Sequence, residues 1–357
     1  MTQQPNSADI LAVFSDVDGT LVHYPPPEKQ QDLPSDVIRL PPSMTGMQGI
    51  ISSKTLQLCR SIRKDYKTKF ILVSGMRTQT LLNRLPFLPR ADAYCSEAGG
   101  RIFYPKRQSS NDADESGRQE ATFKSVSFEG STDEDLEQFY LTEDMGWRRL
   151  MENERAAGKD GYVGNELQSF LEPAPVVPIS ERTGVLWEFA RDLEEKGLVL
   201  DTKGYSCCFR VNQKHQPSEG PAAEIFEALL TGKITFPSTL ASTTNLGCID
   251  FYPAFSGKEN CCHYLIEKYS AGGGATLNNN ALCLCDDDND LDMAMACNHA
   301  FLPGISSKSM EEIVQQHENQ FTLTENKNCD GVHVEGPQAT EQALAFVLDR
   351  LPPRQKP

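Results

Sequence analysis

Two carboxylates lie two residues apart in Phe14-Ser15-Asp16-Val17-Asp18-Gly19-Thr20-Leu21, directly after the apolar run 10–15. Such a run reads as a strand buried on both faces, and in a parallel sheet ligands bind beyond the carboxyl ends of the strands. Once the chain turns at Gly19, both side chains can face one crevice. One carboxylate can then attack a phosphorus atom while the other holds a proton for the leaving oxygen. D-x-D-G also occurs in plain turns and in calcium loops. The apolar strand before it and Thr-Leu after it favour the catalytic reading.

A second acidic group, Cys285-Asp286-Asp287-Asp288-Asn289-Asp290-Leu291, follows the apolar run 281–285. Four carboxylates in five residues repel one another unless a cation offsets them. At a strand end beside Asp16 that cation would be a hard divalent ion with oxygen ligands, Mg²⁺ by geometry and availability. An EF-hand loop starting at Asp286 would need Gly and Glu where Leu291 and Cys297 stand, so that reading fails.

The elements that must position these groups are legible as apolar patterns. Runs at 10–15, 70–74, 93–96, 281–285 and 299–302 read as buried strands. Leu56, Cys59 and Ile62 make a helical stripe, as do Cys261, Tyr264, Leu265 and Tyr269, and then Ala343, Val347 and Leu351. The two ends of the chain therefore form one doubly wound, mainly parallel α/β domain. Residues 109–154 carry thirteen Asp and Glu against four Lys and Arg, and the stretch near 109–120 is expected to be a mobile acidic loop. Helices around 181–196 and 222–230 and strands around 205–211 and 246–252 suffice for an inserted α+β module. The expected division is a core of residues 1–104 and 254–357 and an insertion of 105–253, with crossings near Tyr104-Pro105 and Tyr252-Pro253. The Pro-rich 23–52 reads as a long loop, and the Gly-rich 271–280 as a flexible connector.

The 357 residues suffice for about two domains. With 34 Lys and Arg against 50 Asp and Glu, the net charge is −16. That balance argues against nucleic acid or an anionic membrane as partner. An anionic substrate then needs a local cation. No apolar stretch is long enough to span a bilayer, and MTQQPNSADI lacks the basic and apolar regions of a signal peptide. The eleven cysteines lack zinc-ligand spacing and read as reduced, mostly buried thiols, so a cytoplasmic protein is expected. The six histidines show no metal-binding spacing; His23 alone, five residues past Asp18, could edge the site. Arg148, Arg149, Arg210 and Lys214 are cations of the insertion that could meet a substrate, and Trp147 and Trp187 read as core.

The two acidic motifs resemble the first and fourth motifs of the haloacid dehalogenase superfamily, D-x-D-G-T and G-D-x-x-N-D. The second motif is then matched by Ser74 in FILVSGMR, with Gly75 behind it, and the third by Lys258 in FSGKENCCHYL. The long insertion between them is similar to the branch with a large α/β cap. CSEAGGRIFYP is similar to that branch's lead into the cap, and IDFYPAFSGK to its return. This sequence departs from the pattern at Cys285, where the family has Gly, and at Ser74, where Thr is commoner. It also reads S-G-M-R where many members have T-G-R.

The resemblance implies a Mg²⁺-dependent phosphatase. Asp16 is the nucleophile that forms an aspartyl-phosphate, and Asp18 is the acid and then the base. Asp16, Asp18 through its backbone carbonyl, and Asp286 bind Mg²⁺, with Asp290 joining through water. Ser74, Gly75, Lys258 and Asn289 hold the phosphate. The implied substrate is a small phosphorylated metabolite, foremost a sugar phosphate, and the implied assembly a monomer or small homo-oligomer. A phosphomutase of the same fold and a non-catalytic sugar-phosphate sensor are the alternatives.

Overall fold

A computed structural model of the chain describes residues 10–26, 28, 36–42, 46–107, 122–124, 138–153, 178–245, 247–324 and 336–352. The first apolar run forms β1 (Ala12–Ser15), buried along its length. A hairpin of β2 (Val37–Arg39) and β3 (Ile50–Ser52) leads into α1 (Ser53–Lys64), whose first turn is capped by the Ser52 hydroxyl on the Thr55 amide. Next come β4 (Lys69–Val73), α2 (Thr78–Arg84), β5 (Ala93–Ser96), β6 (Arg101–Arg107), β7 (Thr122–Lys124), β8 (Gln138–Glu143) and α3 (Met145–Asn153). The middle holds α4 (Val185–Glu195), β9 (Leu200–Asp201), β10 (Phe209–Asn212), α5 (Pro221–Leu230), β11 (Leu240–Asn245) and β12 (Cys248–Pro253). The return comprises α6 (Lys258–Tyr269), α7 (Leu277–Asn280), β13 (Ala281–Leu284), α8 (Leu291–Ala296), β14 (His299–Leu302), α9 (Lys308–Gln316), β15 (Phe321–Leu323) and α10 (Pro337–Arg350).

Nine strands form one sheet in the order β15-β14-β13-β1-β4-β5-β6-β8-β7. The six from β15 to β5 run parallel, and β6, β8 and β7 extend the edge antiparallel. The chain builds outward from β1 in one direction, then returns to build outward in the other. The strand order therefore reverses at β1, where a crevice opens beyond the strand ends. Alternate side chains of β1 feed two cores. Val13 packs with Leu56, Ile62, Leu81 and Val347 on one face, and Ala12 and Phe14 with Cys261, Leu265 and Met293 on the other. Helices thus cover both faces, as a doubly wound α/β fold requires.

The smaller sheet, β11-β12-β10-β9, is antiparallel. Leu186, Trp187 and Phe189 of α4 and Phe226 of α5 pack on it in a core of their own, where Phe209 and Phe251 stack with centroids 5.1 Å apart. The crossing expected at Tyr104-Pro105 falls elsewhere. β6 runs through both residues and pairs with β8. Ile102, Phe103, Phe139, Leu141, Trp147 and Met151 all pack into the two cores of the large sheet. Their burial holds the chain to that sheet as far as α3, past the proline that suggested a break. β12 ends at Pro253, and α6 starts at Lys258 and packs on the large sheet. The acidic stretch 109–120 lies outside the described residues.

Glu97, just past β5, ties the two sheets together. It is fully buried with φ of 54°. Its carboxylate accepts the backbone N–H groups of Ser206 and Cys207 at 2.8 and 2.7 Å and the Thr78 hydroxyl at 2.7 Å. The ten described cysteines are free and buried. Among the described residues, no helix is long and apolar enough to cross a membrane.

Candidate active site

The register of the central strands assembles the site. Ser15 pairs with Leu284 on β13 and with Leu72 on β4. The residues just beyond, Asp16, Asp286 and Ser74, therefore emerge at one sheet edge. Lys258, the first residue of α6, reaches the same point. Its ammonium donates to Asp16 Oδ1 at 2.7 Å, Asp290 Oδ1 at 2.5 Å and Asn289 Oδ1 at 3.2 Å. Asp286 accepts the Thr20 hydroxyl at 2.7 Å and the Ser306 hydroxyl at 2.5 Å. Gly19 is indispensable to this approach. It turns with φ of 92°, and a Cβ there would sit 2.1 Å from Asp286 Oδ2.

Asp16, Asp286 and Asp290 are buried, and each offers an oxygen within 4.8 Å of the others. Burial pushes the Asp16 carboxyl well above the usual carboxylate range; the Lys258 ammonium opposes the rise, and Asp290 and Asp286 add to it. Asp286 is pushed up to about 7, by burial first and then by Asp290. Burial works against the Lys258 charge, but Asp16 and Asp290 outweigh it and hold the ammonium above its ordinary value. Three carboxylates against one ammonium leave an excess of two negative charges, the charge of one divalent cation. Asp290 Oδ2 and Asp287 Oδ2 are also buried without a hydrogen bond among the described residues. This all-oxygen donor set fits a hard divalent cation.

The expected residues do not all fall in that cluster. Asp18 is not among the three carboxylates of that cluster. Its Oδ1 accepts from Arg84 Nη1 at 2.7 Å and from the Tyr24 hydroxyl. Asp290 bonds Lys258 directly. Ser74 Oγ accepts the Met76 amide at 3.1 Å, and Ser74, Gly75 and Asn289 line the pocket. Asp288 instead accepts the hydroxyls of Ser307 and Ser309 and is not part of the triad.

The pocket has a volume of about 440 Å³. Asp16, Asp18 and Asp286 line it, together with Tyr24, Arg84 and His23. Arg210 of β10, with Tyr205 just before it, brings in the smaller sheet, and Arg77, at the start of α2, reaches across to it. Arg77 donates to the Lys203 carbonyl at 2.8 Å and pairs with Asp201, and its guanidinium lies 4.6 Å from the Tyr205 ring centroid. Arg210 forms a bidentate pair with Asp250 at 2.6 and 2.7 Å. Of the four cations singled out in sequence, Arg210 thus reaches the pocket. Arg148 instead pairs with Glu143 beside the large sheet. His23 is neutral at ordinary pH, since burial lowers it to about 4. Sequence reasoning did not find Tyr24, Arg84, Ser306 and Tyr205. They lie outside the motifs, and only the folded chain brings them to Asp18, Asp286 and the pocket.

No family model and no curated protein matches the chain. Among solved structures, sucrose-phosphatase from Synechocystis sp. PCC6803, in complex with sucrose and phosphate, aligns at 10% identity over 94% of this chain and 98% of that one, with a TM-score of 0.49. A haloacid dehalogenase-like hydrolase protein from Bacillus subtilis aligns at 14% identity over 98% and 93%, with a TM-score of 0.46. Trehalose-6-phosphate phosphatase from Aspergillus fumigatus aligns at 15% identity over 96% and 94%, with a TM-score of 0.40.

Proposed function

We propose that this protein is a Mg²⁺-dependent phosphatase of the haloacid dehalogenase type, cleaving a sugar phosphate through an aspartyl-phosphate. The observation that carries the reading is the meeting of Asp16, Lys258, Asp286 and Asp290 at one sheet edge, with Asp18 facing the same pocket. Asp16, Asp286 and Asp290 would hold the metal. When bound, it supplies the positive charge that lets a phosphate dianion approach a carboxylate.

A carboxylate oxygen of Asp16 attacks phosphorus, and the bond to the leaving oxygen breaks. Asp18 gives that oxygen a proton, and the alcohol departs. Asp18 then takes a proton from water as the water oxygen attacks phosphorus, and the acyl-phosphate bond breaks to free Asp16 and inorganic phosphate. Lys258 holds Asp16 in place and offsets charge on the transferring group. The smaller sheet acts as a cap, with Tyr205 and the fixed guanidinium of Arg210 offering donors to sugar hydroxyls.

A panel of phosphorylated metabolites, assayed for released phosphate with Mg²⁺, tests this reading. Turnover should require Mg²⁺, and Asp16→Asn should lower it at least ~1,000-fold while leaving the fold intact. Turnover that persists in excess chelator, or in Asp16→Asn free of deamidation, would refute it. Activation by a sugar bisphosphate would move the assignment to a phosphomutase.

A further inference from the structure

Arg84 ends α2 and is almost wholly buried, its side chain 2% exposed, while Asp18, its ion-pair partner, is 39% exposed. Burying a guanidinium is costly unless it is fully paired. This one is not, since its Nε is buried with no hydrogen bond among the described residues. Such an arrangement is a poor device for stability and suggests a task at Asp18. Tyr24 shares that task. Its ring lies 5.7 Å from the Arg84 guanidinium, and its hydroxyl donates to the same Asp18 oxygen. Two donors occupy the lone pairs of Oδ1, and Oδ2 accepts no hydrogen bond from the described residues.

Building on the phosphatase reading, we propose that Arg84 and Tyr24 are positioning residues. They grip Asp18 by Oδ1, fix its rotamer and leave Oδ2 as the oxygen that passes the proton to the leaving group. Such a grip serves a substrate whose leaving oxygen cannot depart unprotonated. The site is therefore built for esters of unactivated alcohols, such as sugar hydroxyls, rather than for phenolic or acyl phosphates.

The test compares kcat/KM, which covers the steps up to departure of the leaving group, for two probes in Mg²⁺ buffer. One is a hexose 6-phosphate and the other p-nitrophenyl phosphate, whose leaving group needs no proton. General acid catalysis is worth ~100-fold or more. Arg84→Met should lower kcat/KM for the hexose phosphate by roughly 10- to 100-fold, and that for the aryl ester by less than about 3-fold. Arg84→Lys, which restores a cationic donor, should recover part of the loss. Tyr24→Phe removes only a hydroxyl, so it keeps the test open if Arg84→Met fails to fold. It should shift the two probes apart in the same sense, by several-fold. Equal losses on both esters would show a structural tie without a role in proton transfer and would overturn the proposal, as would unchanged values on both. A wild-type protein that cleaves neither ester would overturn the phosphatase reading, and this inference with it.

Discussion

Asp286 is held where its ionised form is least at ease. Burial and the neighbouring Asp290 raise it to about 7, and the hydroxyls of Thr20 and Ser306 only partly compensate. The metal-free site is thus a strained collection of like charges, as functional sites often are. Two results should follow in calorimetry. Mg²⁺ should raise the wild-type Tm by several degrees, since a ligand at about a hundred times its Kd adds about 2.7 kcal/mol. Asp286→Asn should raise the metal-free Tm while shrinking the Mg²⁺-induced rise. A variant that melts lower without metal yet keeps the full shift would remove Asp286 from the metal site. At this scale much was legible, because Asp16, Asp286 and Asp290 each follow or flank an apolar run. The partners were not legible, because a hydroxyl from Ser306 or a guanidinium from Arg84 has no spacing that announces it.

At the scale of elements, the turn after β5 joins the two sheets. In sequence Glu97 stands only within CSEAGGRIFYP, the stretch similar to a lead into a cap, yet its carboxylate holds two backbone N–H groups at the start of the segment leading to β10. Glu97→Ala would leave those donors buried and unpaired, a loss of roughly 2–4 kcal/mol. The two tryptophans make this measurable. Trp147 packs in a core of the large sheet and Trp187 in that of the smaller one. Urea unfolding followed at Trp187, in a Trp147→Phe background, should shift to lower urea when Glu97 is replaced. An unshifted Trp187 transition would mean that the smaller sheet does not depend on this joint. The boundary expected near Tyr104-Pro105 failed for a related reason. Pro105 signals a break locally, but β8 covers β6 from a point more than thirty residues later in the chain.

Across the whole molecule, a net charge of −16 opposes any anionic ligand, and the pocket's Arg77, Arg84 and Arg210 are each paired with a carboxylate, so a bound cation would have to offset that field. The same burial that builds the cores also sets a pH dependence. His23 and His299 are lowered from 6.5 to about 4 by burial, and His299 sits against Phe301 and Thr322. Between pH 6.5 and 4 the unfolded chain binds protons that these folded histidines refuse. Their contribution to stability is therefore full above 6.5 and is lost as pH falls toward 4. Asp16 and Asp286, raised by burial, act in the opposite sense, so the measurement is the difference between wild type and His299→Asn, in which they cancel. The stability lost between about pH 7 and about pH 4.5 should be smaller in the variant. Equal losses would show that His299 is protonated as readily in the folded chain as in the unfolded one.

Short-range information determined the parts of this protein. A strand buried on both faces needs a continuous apolar run, a helix an apolar stripe, and a tight turn a glycine, so β1, β4, β5, β13 and β14 and the acidic turns after β1 and β13 could be read from neighbours in sequence. The tertiary structure decided what those parts face. The order in which β13, β1 and β4 pair placed Asp286, Asp16 and Ser74 side by side, and the burial of β6 and β8 moved the limit of the large sheet past Pro105. Arg84 came to Asp18, and Ser206 to Glu97, across spans of 66 and 109 residues. Contacts over such spans depend on register and packing summed over whole sheets, and no local pattern of residue types encodes that sum.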